Sequence, residues 1–371
     1  MKKRILLTLC MTLAAICGYA QENPKQNLED FDFLTHFTEA NYAAFPVIME
    51  LGYEKQYKTL KKQLRKQVAK GRMGIEKAAC EYAIWFHKNF DSHYSVVTPL
   101  WNTYWRTAHT DYSELMAEYA PKPVSCKVDE HTWLVRVPSC WGNNPTKEWA
   151  RQAAEQYKAS GCENLIIDIR GNGGGTADIW FPFINLLVDH QREWTYESFF
   201  RNTPDNVKAF ESILERMPDN SNLRDAIAQC KNSDNEFERL SAWDASGIEP
   251  APQPKRAAII ADNASASASE CLIWLYVKDV SHRTKVYGKE RTYGADLTGE
   301  CVSDTKLPHA DIRIFYPTCV VTFDFLDHVS FGKIGIEPDV YIDLPYPERL
   351  TDNIDEWTLW VARHLSKDRK E

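Results

Sequence analysis

Apolar positions between Asn27 and about Phe90 recur at intervals of three and four residues, which is typical of amphipathic helices. The segment Tyr57–Val68 shows this spacing most clearly, because lysines separate its apolar residues. We interpret those lysines as a solvated helix face. A more apolar helix is predicted from Ala78 to Phe90. The N-terminal part of the chain is therefore expected to form a helical region over residues 22–118.

After this region the pattern changes to short apolar or alternating runs that indicate strands. Thr132–Val137 alternates, whereas Leu165–Ile169 and Ala257–Ile260 are continuous apolar runs of the kind found in buried parallel strands. An amphipathic helix is predicted between the first two runs, over Thr146–Ser160. Strands that alternate with helices predict an α/β core, here over residues 119–371.

Two stretches of the chain do not fit this core pattern. Residues about 195–250 are polar with a mostly helical pattern and end in the proline-rich run Pro250–Pro254, so we interpret them as a helical insertion. Between Ser92 and Lys122 the chain is too short for an additional peptide-binding domain of ordinary size. No PDZ domain is therefore expected.

The first twenty residues have the pattern of a secretory signal peptide. Met1–Arg4 is positively charged, Ile5–Ile16 is apolar, and Gly18–Ala20 offers small residues around a cleavage site. Lipid attachment at Cys17 is the alternative, although Ile16 stands where a small residue is expected. No later segment approaches the ~20 apolar residues of a transmembrane helix. The mature protein is expected to be exported, periplasmic or extracellular, with no transmembrane segment.

The composition and net charge of the chain restrict the classes of function that it could have. Apolar residues make up 44% of the chain and aromatic residues 12%, as in a globular protein with a substantial core. A net charge of -8 argues against general nucleic-acid binding, which requires a basic surface. Eight of the ten cysteines follow the signal peptide, so one or two disulfides are compatible with export. Their spacing indicates no metal site, and no cofactor is predicted.

A run of glycines, Arg170–Gly175, directly follows the second predicted strand. Glycines allow backbone amides to approach a bound group closely, either a phosphate or an oxyanion. Thr176 and Ala177 stand where a phosphate-binding P-loop requires lysine and serine or threonine. A tight turn that packs against a neighbouring strand would also explain the glycines, and this pattern alone leaves both interpretations open.

Three serines, Ser265, Ser267 and Ser269, alternate with alanine at the junction between a predicted strand and a predicted helix. Ser267 and Glu270 fit a capping box, in which each side chain bonds the backbone of the other residue. A serine at such a junction also lies near the positive end of the helix dipole, where the amide of Ala268 could stabilise an oxyanion. The local pattern leaves capping and nucleophilic roles open.

Four motifs in this order resemble the tail-specific, or C-terminal-processing, serine peptidases, including the tricorn-protease core. They lie within residues 120–345 and are Leu165–Gly175, Ser265–Glu270, Val286–Gly294 and Gly335–Val340. The resemblance implies a crotonase-like (ClpP-type) α/β fold. It also implies a serine peptidase activity on a peptide or protein substrate.

The resemblance assigns roles to particular residues. Ser267 takes the position of the nucleophile, and the oxyanion hole would combine the amide of Ala268 with that of Gly174 or Gly175. Many relatives carry a lysine base directly after the Thr-x-Gly of the third motif, but this chain has Ala295 there. The lysine-dependent mechanism is therefore not available to it.

The tricorn-like branch uses a histidine preceded by a serine, and this chain has that pair upstream of the core. His93 would be the base that takes the proton of the nucleophile, and Ser92 would orient its imidazole. A surface histidine that caps the preceding helix is the structural alternative. The weaker candidates for the base are His87, His282 and His328.

That branch also has a glutamate that supports the histidine, expected shortly before Gly335. Phe331–Ile334 contains no acid, and the nearest acids are Asp327 and Glu337. The sequence therefore leaves the supporting acid unassigned. A catalytically inactive peptide- or ligand-binding protein with the same fold is the alternative function, and a hydrolase of other acyl groups is a third.

Overall fold

The computed structural model describes residues 23–190, 195–244, 248–277, 281–295, 298–323 and 335–367. The predicted signal peptide, with Cys17, lies outside the described residues, as do Asp327 and His328. Within the described ranges no helix combines the length and the apolar character needed to cross a membrane.

Helices form most of the N-terminal region and cover both faces of the sheet that follows. They are α1 (Pro24–Asn41), α2 (Ala44–Ile48), α3 (Glu54–Ala69), α4 (Ile75–Asn89), α5 (Trp101–Trp105), α6 (Tyr112–Leu115), α7 (Lys147–Ser160), α8 (Phe181–Leu187), α9 (Pro204–Arg216), α10 (Ser221–Lys231), α11 (Ala268–Tyr276) and α12 (Glu356–Lys367). A π-helical turn (Met49–Tyr53) joins α2 to α3, and a 3-10 turn (Ala177–Trp180) precedes α8.

The strands belong to three sheets. They are β1 (Ser95–Val97), β2 (Glu118–Tyr119), β3 (Val124–Lys127), β4 (Thr132–Arg136), β5 (Asn164–Asp168), β6 (Thr195–Arg201), β7 (Phe237–Asp244), β8 (Arg256–Ile260), β9 (Thr284–Gly288), β10 (Thr298–Val302), β11 (Arg313–Phe323), β12 (Val340–Tyr341) and β13 (Arg349–Leu350). β13 and β2 form a small parallel pair.

A six-stranded sheet with the order β12-β9-β8-β5-β4-β3 forms the centre of the α/β core. Its strands are parallel except for β3, which runs antiparallel to β4. Every residue of β5 is buried, which confirms the prediction of a buried parallel strand. Residues of α7, α8 and α11 share the core on one face, and α12 covers the other.

The helix predicted over Thr146–Ser160 forms as α7, with a local signal at each of its ends. Thr146 is the N-cap, and its hydroxyl accepts a hydrogen bond from the amide of Trp149. Gly161 ends the helix in the left-handed conformation, with φ 72°, which glycine adopts without a steric penalty. Sequence signals at its two ends therefore determine where this helix begins and ends.

A second, antiparallel sheet has the order β1-β11-β6-β7, with β10 also paired to β11. The N-terminal helices pack on this sheet, since Phe31 and Phe86 share a core with Ile314 and Tyr316. The N-terminal helical region thus shares its core with a strand from the C-terminal part of the chain.

The prediction of a helical insertion at about 195–250 was wrong in part. The segment begins with strand β6 and ends near strand β7, and only α9 and α10 between them are helical. Polar residues interrupt the aromatic ones in both strands, so neither contains an apolar run. Their hydrogen-bond partners come from each other and from β11, far along the chain, and the local pattern does not contain that information.

All eight cysteines in the described part of the chain are free thiols. The disulfides that the sequence left open are therefore not formed in this structure. Five of the eight are buried, where a thiol behaves as a small apolar side chain.

Candidate active site

The serine run lies where β8 passes into α11, next to the glycine loop that follows β5. Strands β5 and β8 are paired in parallel, with Asp168 opposite Ile260, so both loops leave the same edge of the sheet. In open parallel sheets this edge, at the carboxyl ends of the strands, is the usual place for a ligand site.

Ser267 has a strained backbone. Its φ of 54° and ψ of -116° lie where residues other than glycine are rarely found. Such strain persists only where the surrounding structure enforces it, and it is concentrated at functional sites. A serine at a strained turn from strand to helix is the arrangement that exposes the nucleophile of α/β-hydrolases.

The three serines differ in exposure and in bonding. Ser265 and Ser269 are fully buried, and Ser267 is partly exposed. The Ser265 hydroxyl donates to the Ile169 carbonyl at 2.9 Å, and the Ser269 hydroxyl donates to the Asn172 carbonyl at 3.1 Å. The outer serines thus hold the serine run against the end of β5 and the glycine loop, and the middle serine is the one that a substrate can reach.

Ser267 and Glu270 form the predicted capping box, and the carboxylate of Glu270 does more than cap the helix. Its Oε2 atom accepts hydrogen bonds from the amides of Ser267 at 2.9 Å and Ala295 at 2.8 Å. Its Oε1 atom accepts from the amide of Gly294 at 2.7 Å and from the hydroxyl of Thr292. Glu270, fully buried, therefore joins the candidate nucleophile to the segment Thr292–Ala295.

The glycine loop approaches the serine at Gly174. A Cβ atom on Gly174 would lie 2.7 Å from the Cβ of Ser267 and 3.0 Å from the amide nitrogen of Ala268. Gly174 also has a φ of 91°, which favours glycine. Its amide donates to Asn172 Oδ1 at 3.0 Å, and its carbonyl accepts from the Cys140 amide at 3.0 Å.

Gly175 lies against a different backbone segment. A Cβ atom there would lie 2.6 Å from the carbonyl carbon of Cys140 and 2.8 Å from the amide nitrogen of Trp141. The side chain of Trp141 is 72% exposed. The glycine loop is thus held between the Cys140–Trp141 backbone and the serine run.

His93 follows α4 and is held by polar groups from two parts of the chain. Its Nδ1 atom is 2.8 Å from the Thr298 hydroxyl and 3.7 Å from Asp91 Oδ1. Its backbone amide donates to the same carboxylate oxygen at 2.9 Å. Burial lowers the pKa of His93, and the Asp91 carboxylate opposes that shift. The imidazole is thus favoured in its neutral form, as a general base requires.

Ser92 anchors the histidine segment to the segment that Glu270 holds. Its amide donates to the Gly294 carbonyl at 3.2 Å, and its hydroxyl donates to the Tyr293 carbonyl at 3.0 Å. The predicted role of Ser92 was to orient the imidazole. In this structure its hydroxyl bonds backbone carbonyls, and in the part of the chain that is described the ring is contacted by the polar groups of Thr298 and Asp91.

The structure thus connects the serine and the histidine through backbone groups and the carboxylate of Glu270. From Ser267 the connection runs through Glu270 and Gly294 to Ser92 and His93. Between the side chains of Ser267 and His93 themselves, no hydrogen bond is found within the described residues. Catalytic hydrogen bonds are often long in the absence of substrate and shorten when it binds.

The sequence model of Peptidase family S41 matches residues 132–342, which is more than half of the chain and includes Ser267 and the glycine loop. The chain belongs to Peptidase family S41. The match confirms the resemblance drawn from the four motifs, and with it the assignment of the chain as a serine-type peptidase.

Solved structures of S41-like proteins share the fold over most of the chain. Mature CPAF in complex with lactacystin is 13% identical, with a TM-score of 0.56, and the match covers 94% of this chain and 98% of that one. Mature CPAF alone is 14% identical, with a TM-score of 0.54 and coverages of 94% and 97%. A candidate peptidase from Parabacteroides merdae is 15% identical, with a TM-score of 0.53 and coverages of 87% and 90%. No curated protein matches the sequence.

The other histidines considered for this S41 peptidase are placed differently. His87 is buried, with Nδ1 3.0 Å from the Tyr94 carbonyl and Nε2 2.7 Å from His109 Nε2, so both of its ring nitrogens are engaged. The amide of His282 donates to Asp189, on the segment after α8.

The sequence left the supporting acid unassigned, with Asp327 and Glu337 as the nearest acids. Glu337 bonds Arg291 and the hydroxyl of Tyr341 at the surface, and Asp327 lies outside the described residues. No cluster of three or more histidine, cysteine or acidic side chains suited to a metal occurs in the part of the chain that the structure describes.

Sequence reasoning missed several residues around the site. Asp91 directly precedes the Ser-His pair, and this adjacency was the sequence signal that could have identified it. Asn172 lies inside the glycine motif, where its side chain bonds the Gly174 amide and the Val137 carbonyl. Thr298 carried no signal, because only the pairing of β10 with β11 brings it to His93. Glu270 was predicted as a cap alone.

Proposed function

We propose that this serine peptidase cleaves peptide bonds with Ser267 as nucleophile and His93 as general base. Ser267 Oγ attacks the scissile carbonyl while His93 Nε2 takes its proton, and His93 then returns that proton to the leaving amine. Water then attacks the acyl-enzyme, with His93 again as general base, and this step releases the acyl group and restores Ser267. A serine hydroxyl needs such a base, because it is a weak nucleophile at its own pKa.

The observation that carries this proposal is the backbone strain and partial exposure of Ser267, compared with the two neighbouring serines. Three serines share one local pattern, yet only the middle one combines a strained backbone with partial exposure. Gly174 packs against that serine so closely that a methyl group would overlap with it. A helix cap alone requires neither the strain nor the close approach of a glycine.

The developing oxyanion would be held by the amide of Ala268, at the start of α11, and by one amide of the glycine loop. The amide of Gly174 already donates to Asn172. Gly175 is therefore the better candidate for the second oxyanion donor. Gly174 then has a steric role, because its lack of a side chain allows the loop to pack against Ser267.

The substrate class is a peptide or protein, as expected for the family, and the core that carries the site is proposed to be crotonase-like, without a PDZ domain. We further propose that the protein is exported after removal of residues 1–20. Sequencing the N-terminus of the protein recovered from the periplasm or medium tests this, and an N-terminus at Met1 would contradict it.

A fluorophosphonate probe tests the catalytic assignment, since it phosphonylates an activated serine without any knowledge of the substrate. The purified chain should be labelled, with the modified peptide mapped to Ser267. Labelling should disappear in Ser267→Ala and fall by about 100-fold or more in His93→Gln. Ser265→Ala and Ser269→Ala are the matched controls, and each should still be labelled at Ser267.

Absence of labelling and labelling at another serine would each contradict a different part of the proposal. A folded wild-type chain that the probe does not label, but that binds peptides, would make this protein a peptide-binding relative with the S41 fold. Labelling at a serine other than Ser267 would leave a peptidase with the wrong nucleophile assigned.

A further inference from the structure

The carboxylate of Asp91 is buried next to His93, and polar groups from three parts of the chain surround it. Its Oδ1 atom accepts hydrogen bonds from the Thr298 hydroxyl at 2.8 Å and from the His93 amide at 2.9 Å. Its Oδ2 atom accepts from the Tyr42 hydroxyl at 2.7 Å. Asp91 and Thr298 are 2% and 5% exposed. These three donors satisfy the hydrogen-bonding capacity that burial would otherwise leave without a partner.

The direction of these bonds determines which nitrogen of His93 carries its proton. The Thr298 hydroxyl has one hydrogen, and it points to Asp91, because a carboxylate can only accept. The same hydroxyl oxygen lies 2.8 Å from His93 Nδ1, so it must accept from that nitrogen. His93 is therefore protonated on Nδ1 when neutral, and the lone pair of Nε2 is free to act as the base.

We propose that Asp91, acting through Thr298, is the acid that positions the catalytic histidine of this peptidase. This inference deepens the proposed function and rests on it. The proton of Ser267 moves to His93 Nε2, and the Nδ1 proton stays on the imidazole. The carboxylate of Asp91, with Oδ1 3.7 Å from Nδ1, stabilises the imidazolium that forms.

The arrangement uses a residue adjacent to the base in sequence and one from a distant strand. Asp91 and His93 are joined by the local bond from amide to carboxylate, which sets the turn at the end of α4. Thr298, the first residue of β10, comes from the chain beyond Ala295. Because the Thr298 hydroxyl lies between Asp91 and His93, the orientation of the imidazole depends on the position of β10.

The tautomer of His93 tests the inference independently of catalysis. In wild-type protein, 15N NMR of the imidazole should show Nδ1 protonated and Nε2 unprotonated at neutral pH. Thr298→Val keeps the shape of the side chain and removes the hydroxyl, so the tautomer should shift toward a mixture. Thr298→Ser restores the hydroxyl and should restore the wild-type spectrum. An unchanged tautomer in folded Thr298→Val would overturn the inference.

Labelling kinetics with the fluorophosphonate give the second readout. Asp91→Asn should reduce the maximal labelling rate by about 10²- to 10⁴-fold, because the ring loses its orientation and its counter-charge. Thr298→Val should reduce it by about 10-fold or more, and Thr298→Ser should stay within about threefold of wild type. The probe concentration for half-maximal rate should change little. Glu337→Gln changes one of the two acids nearest the position that the family pattern gives for the supporting glutamate; it is the control and should label normally.

The two proposals fail in different ways. Wild-type protein without labelling at Ser267 would remove the proposed function, and the NMR result would still decide the tautomer. Normal labelling of Ser267 in folded Asp91→Asn and Thr298→Val would leave the peptidase intact and remove Asp91 as its acid. Should Asp91→Asn fail to fold, the Thr298→Val and Thr298→Ser pair decides alone.

Discussion

The carboxylate of Glu270 accepts a hydrogen bond of 2.9 Å from the backbone amide of Ser267. The same side chain holds the amides of Gly294 and Ala295, and the Gly294 carbonyl in turn accepts from the Ser92 amide. One buried acid therefore positions the backbone of the candidate nucleophile and the segment on which the candidate base is anchored.

Glu270→Gln should destabilise the protein and disable the site together. Glutamine presents an NH₂ group where the native side chain accepts only, so buried amide donors lose their partner. We expect the free energy of unfolding to fall by about 3 kcal/mol, with loss of labelling at Ser267. Denaturant titration measures the first effect. Glu211→Gln removes an exposed ion pair with Lys231 and should change stability by less than about 0.5 kcal/mol.

Neighbouring glycines of the loop should respond differently to the same substitution. Gly174→Ala places a methyl group 2.7 Å from the Cβ of Ser267, at a φ of 91°, so the loop must move away from the serine. We expect the labelling rate to fall by about 100-fold or more. Gly173→Ala is the control, because its methyl group meets nothing within 4 Å. Equal rates in the two variants would contradict the close packing at Ser267.

A buried cluster of four charges supports the strand that precedes the glycine loop. Arg136 and Arg170 each contact both Asp168 and Asp355, with all four side chains fully buried. Asp355→Asn leaves an unbalanced buried positive charge, which should lower the free energy of unfolding by about 3–5 kcal/mol. Asp352→Asn, whose side chain is exposed, should change it little. Denaturant titrations of both variants measure the difference.

Acid should destabilise the fold through two buried histidines. Burial lowers the pKa of His87 to about 3 and that of His109 to about 4, below the ordinary value of about 6.5. Between these values the unfolded chain binds more protons, so stability present above pH 6.5 is lost as pH falls toward 4 and 3. We expect the free energy of unfolding to decrease over this window.

Replacing both histidines by glutamine should flatten that pH dependence, whereas the exposed His36→Gln should not change it. Denaturant titrations between pH 7 and pH 4 provide the measurement. The two Nε2 atoms are 2.7 Å apart, a distance that a shared proton would also fit. Stability that increases on acidification would show that the pair holds such a proton and that burial is not the dominant effect.

The parts of the candidate site that are encoded locally could be proposed from the sequence. Ser267, Gly174 and Ala268 lie in short motifs at strand ends, and neighbouring parallel strands bring such motifs to the same edge of a sheet. The buried strand β5 and the capped helix α7 were predicted for the same reason, since their patterns are complete within a few residues.

The rest depended on contacts between distant segments. Strands β6 and β7 are polar enough to be interpreted as part of a helical insertion, and they become strands by pairing with each other and, for β6, with β11. Thr298 reaches His93 through the same sheet. The supporting acid was sought near Gly335, where the family pattern places it. Among the described residues, the carboxylate that contacts the imidazole is that of Asp91, two residues before the histidine.

The pH dependence of fluorophosphonate labelling at Ser267 tests the central claim most directly. We predict that Ser267 is the labelled residue and that its labelling rate falls with acid at a midpoint below the ordinary histidine pKa of about 6.5, because burial lowers the pKa of His93. In His93→Gln the remaining slow reaction should lose that ionisation. Labelling that is equally fast in His93→Gln, or that maps to another serine, would contradict the account.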